Sequence, residues 1–128
     1  SDCGTHNVLV GDKLWWVDFE FFGWDDPVKL ILDIMLHPAM KKDEESRSDF
    51  LTAARSLFRE DIYFDERFKC FYPIVALNWV LIVLNDFLDV KEKVSTIFKC
   101  DDNDEAISRQ LSKARDYFEV SRSRFESL

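Results

Sequence analysis

Only one stretch of this chain has the make-up of β-structure, and it is short. Asn7-Val8-Leu9-Val10 and Leu14-Trp15-Trp16-Val17 are apolar runs rich in β-formers. Gly11-Asp12 lies between them, with Gly at the first position of a two-residue type II′ hairpin turn. Both faces of the second run are apolar, so it is expected to be buried on both sides.

From Asp25 onward the signals are helical. Asp25-Asp26-Pro27 is an acidic N-cap followed by Pro in the first turn. Val28 to Leu36 is apolar nearly all round, interrupted by Lys29 and Asp33 at i,i+4, and His37-Pro38 stops it. Lys41 to Glu45 reads as a charged loop. Ser46-x-x-Asp49 then has the form of a capping box, for a helix carrying Phe50, Leu51, Ala54, Leu57 and Phe58.

A long helix is predicted from about Asp65 to Leu88, kinked or begun near Pro73. Its stretch Cys70 to Leu88 contains Pro73, Asn78, Asn85 and Asp86, so it reads as a buried helix and not as a membrane span. The last helix starts in the acidic cluster Asp101 to Glu105, which suits its positive dipole end. Ile107, Leu111, Ala114, Phe118 and Phe125 would form its packing stripe. The expected architecture is mainly α with a small N-terminal β-hairpin, one domain of four or five helices.

Composition narrows the class of function. Apolar residues make 47% of the chain and charged residues 33%, a globular balance. A net charge of −8 argues against nucleic acid as a partner, because an acidic surface cannot gain the counterion-release energy such binding depends on. Cys3, Cys70 and Cys100 stand far apart and are odd in number, which predicts reduced thiols in a cytoplasmic protein. No signal-peptide pattern opens the chain.

The chemistry-bearing residues lie around the hairpin. Four residues separate Asp2 from Asn7, and Asp18 ends the second apolar run as Val17-Asp18-Phe19-Glu20. A carboxylate at the edge of an apolar strand is costly unless a cation or donors compensate it. A hairpin would return Asp18 towards the loop holding Asp2 and Asn7. Two carboxylates and an amide oxygen would then converge as a hard oxygen set suited to Mg2+. Phosphoryl transfer uses such a set, with one Asp taking the hydroxyl proton while Asn and a second Asp hold the metal.

Ser1-Asp2-Cys3-Gly4-Thr5-His6-Asn7, followed by Val17-Asp18-Phe19-Glu20-Phe21-Phe22-Gly23-Trp24-Asp25-Asp26-Pro27, resembles the aminoglycoside phosphotransferase and choline-kinase-like superfamily. The resemblance is to its bacterial phosphotransferase enzyme family branch. It is dense over residues 1–38, looser through Leu77-Asn78-Trp79 and Leu84 to Leu88, and fades after about residue 90. Two positions depart from the pattern. Cys3 stands where this branch tends to have Phe, and Lys29-Leu30 where Tyr-Asp is common.

The resemblance implies the C-terminal part of a protein-kinase-like fold, with residues 1–26 as catalytic loop, hairpin and metal segment and 27–128 as the helical part. Asp2 would be the catalytic base, Asn7 and Asp18 the Mg2+ ligands that engage ATP, and Glu20 an acidic neighbour. The acceptor would be a hydroxyl of a small molecule. Gly4, Gly11 and Gly23 are the only glycines, too few and too scattered for a Gly-rich phosphate loop. The nucleotide lobe is therefore expected upstream of Ser1 in the same chain, or in trans. A start at Ser1-Asp2 instead of Met is expected of a processed product or a fragment. Alone, such a lobe should be inactive. A non-catalytic helical interaction module and half of a split kinase are the alternatives. His6 reads as a packing residue, His37 as a helix C-terminal residue favouring the dipole, and Trp15, Trp16 and Trp24 as core aromatics.

Overall fold

The computed structural model describes residues 7–17, 23–39, 43–97 and 103–128. The order is a hairpin of β1 (Val8–Val10) and β2 (Leu14–Trp16), then α1 (Pro27–Leu36), α2 (Glu44–Leu57), α3 (Phe64–Ile97) and α4 (Asn103–Glu126). A mainly helical chain with a two-stranded antiparallel hairpin near its N-terminus is what the sequence predicts. The chain divides into two compact units, Ser1–Val75 and Ala76–Leu128.

In the first unit, the hairpin pairs Val8 with Trp16, Leu9 with Trp15 and Val10 with Leu14. Its loop has three residues and not two: the register leaves Gly11, Asp12 and Lys13 outside the ladder, and the Gly11 N–H donates to the Lys13 carbonyl at 3.0 Å. Gly11 does not take the left-handed backbone that a type II′ turn requires. The second strand is also not buried on both sides. Leu14, Trp15 and Trp16 are all exposed, as is Trp24, so none of these three tryptophans is a core aromatic.

Helix α1 starts where its local signals place it. The Asp26 side chain accepts from the Val28 N–H at 2.9 Å, and Pro27 costs nothing in a turn whose N–H groups lack helical acceptors. Val28, Ile31, Leu32, Met35 and Leu36 are buried, each contributing about 1.5–3 kcal/mol of apolar burial. His37 is the C-cap, but its Nδ1 accepts from the Ala39 N–H at 3.2 Å. That bond fastens the turn that follows α1.

Helix α2 begins earlier than the Ser46 box predicts. Asp43 is the N-cap, and its carboxylate accepts from the Ser46 N–H at 2.7 Å, so part of the expected charged loop is helix. Glu44 and Glu45 in the first turn and Arg55 in the last complement the dipole. Leu51 and Ala54 are buried while Leu57 is exposed, against expectation. Arg47 donates to the Met35 carbonyl and so ties α2 to the end of α1.

Helix α3 begins at Phe64 and runs 34 residues, straight through Pro73. A proline there removes one backbone bond, at about 3 kcal/mol. The turns before it are held by an aromatic ladder: Phe58–Phe64, Phe64–Phe68 and Phe68–Tyr72 have ring centroids 6.0, 6.3 and 6.1 Å apart. The expectation of a buried helix fails beyond one stripe. Phe64–Asn85 has a mean hydropathy of 1.6 and is long and apolar enough to cross a membrane, by length and composition only, yet only 22% of its apolar window is buried. Ile74, Leu77 and Leu81 are exposed, at 62%, 50% and 61%.

In the second unit, α4 keeps Ala114 of its expected stripe in the core but not the larger side chains of that stripe. Among the described residues Ala114 and Ser121 are its buried positions, while Leu111, Phe118 and Phe125 are 49%, 37% and 38% exposed. A hydrogen bond joins the two helices of this unit: Gln110 Nε2 donates to the Val83 carbonyl at 2.6 Å.

Candidate functional site

Asn7 is the one predicted ligand among the described residues; Asp2 and Asp18, together with His6 and Glu20, lie outside them. Asn7 precedes β1 and is 93% removed from solvent, at 7% relative exposure. Its backbone carbonyl accepts from the Val17 N–H at 2.9 Å. That bond extends the ladder one position beyond Val8–Trp16, so the residue before Asp18 is fastened to Asn7. The cause is in the sequence: two equal apolar runs of extended backbone pair until their residues are used up.

The chain after the hairpin is anchored at α1 by a network of carboxylates and cations. Asp26 uses both oxygens, Oδ1 for the Val28 cap and Oδ2 for Arg67 Nη1 at 2.7 Å. The other arm of Arg67 holds Asp61, so one guanidinium on α3 binds the N-terminus of α1 and the turn before α3. Asp25 accepts from the Asp26 N–H at 2.8 Å and pairs with Lys29 at 3.0 Å. The Lys29 hydrogen bond, with that backbone bond, holds the Asp25 carboxyl below its ordinary value. Burial pulls Lys29 down, but its bonds to Asp25 and Asp33 outweigh this and its net shift is upward. Lys29 and Asp33 meet at 3.0 Å, as their spacing predicts.

Arg67 escaped the sequence reading. It lies 41 positions from Asp26, and within Asp65-Glu66-Arg67 it looks like ordinary helix-start surface. No local signal marks a pairing of that span.

Around Asn7 the hairpin is apolar on both faces. Leu9 and Trp15 share one face, 59% and 57% exposed; Val10, Leu14 and Trp16 share the other and are likewise exposed. Cys70 is an exposed free thiol. Among the described residues no three His, Cys, Asp or Glu side chains gather as a metal group. No protein-family model, curated protein or solved structure matches the chain.

Proposed function

We propose that this chain is the C-terminal, kinase-like part of an ATP- and Mg2+-dependent phosphotransferase that moves a phosphoryl group to a hydroxyl of a small molecule. The observation that carries the reading is the closure of the hairpin. Asn7 is buried, and its carbonyl holds the N–H of Val17, the residue immediately before Asp18. An Asn amide and an Asp carboxylate are hard oxygen donors of the kind Mg2+ takes with bound phosphates. Asn7 and Asp18 would hold the ion, which neutralises phosphate charge when bound. Asp2 would accept the proton of the acceptor hydroxyl.

The test is Mn2+ binding, followed by electron paramagnetic resonance with ATP present, in the chain and in Asp18→Asn. Saturable binding that Asp18→Asn abolishes is the expected result. Equal binding in both proteins would sink the reading in favour of a non-catalytic helical module.

A nucleotide lobe belongs to this reading, in cis or in trans. The exposed apolar hairpin favours such a cover, since Leu9, Val10, Leu14 and Trp15 are surface a second lobe would desolvate. The intact mass of the gene product from its native cell separates the cases. A mass above that of 128 residues supports a lobe in cis; a mass equal to it supports a split kinase or the non-catalytic module.

A further inference from the structure

We draw no further inference here: the strongest candidate, the uncharged apolar surface that Ile74, Leu77 and Leu81 expose along α3, carries nothing because nothing in the structure shows what covers it.

Discussion

The hairpin and α1 are both short and both apolar, yet they end in opposite environments. Val28 and Leu32 of α1 are 0% exposed, whereas Val10 and Leu14 of the hairpin are 82% and 65% exposed. A ten-residue helix has a limited apolar surface to cover and finds partners within its own unit. A two-stranded sheet has two faces and two edges, and is marginal until something packs on it. Here both faces are apolar, so one neighbour is not enough. The difference teaches that a strand can be written for burial that its own unit does not supply. Covering each exposed side chain fully would be worth about 1.5–3 kcal/mol, a substantial drive towards any apolar surface that packs there.

That contrast predicts where substitutions should matter. Phe68→Ala should be the most damaging. The residue is 1% exposed, its ring stacked on Phe64 and tilted against Tyr72, and its loss should cost about 3–5 kcal/mol in urea unfolding. Asp26→Ala removes both the α1 cap and the Arg67 partner, and about 2 kcal/mol is expected by the same measurement. A loss below that of an ordinary cap would mean Arg67 finds its partners without Asp26.

Trp15→Ala should cost under about 1 kcal/mol, the scale of one cross-strand pair, because its ring is largely in water already. A larger loss would place the hairpin face inside a core and break the contrast. The same variant should lower binding of an apolar dye such as ANS, which reports the uncovered surface.

The smallest effect is one of acid. Asp43 is held below its ordinary value of 3.8 by the Ser46 backbone hydrogen bond, and Asp25 is lowered by Lys29 and the Asp26 N–H. A lowered folded-state carboxyl stabilises fully above its unfolded value and loses that contribution as pH falls through the folded one. Unfolding midpoints should therefore drop below about pH 4. Asp43→Asn keeps a capping oxygen but cannot titrate, so it should flatten part of that slope. An unchanged slope would remove Asp43 from the account.

Of the candidate site, Asn7 was legible as an oxygen donor at the head of a hairpin, and the pairing that brings Val17 back to it follows from two matched apolar runs. Arg67 and Asp61 were not legible, because a pairing of distant residues leaves no trace in either neighbourhood. The start of α2 was misplaced for a different reason. Asp43-x-x-Ser46 and Ser46-x-x-Asp49 are both capping patterns, and the backbone took the first, gaining a charged acceptor for the Ser46 N–H.

By itself the sequence determined the elements whose causes are local. Asp26-Pro27 and His37 bound α1, because a cap and a fixed φ act within one turn. The hairpin needed only two extended runs and a short loop. Tertiary structure decided which apolar residues left water. It put Ala114 and Ser121 of α4 inside while Leu111 and Phe118 stayed partly in solvent, and it buried Phe64, Phe68 and Tyr72 of α3 while Ile74 stayed exposed. Periodicity sets which residues share a face, but burial depends on what stands opposite that face, and that is settled only when the elements pack.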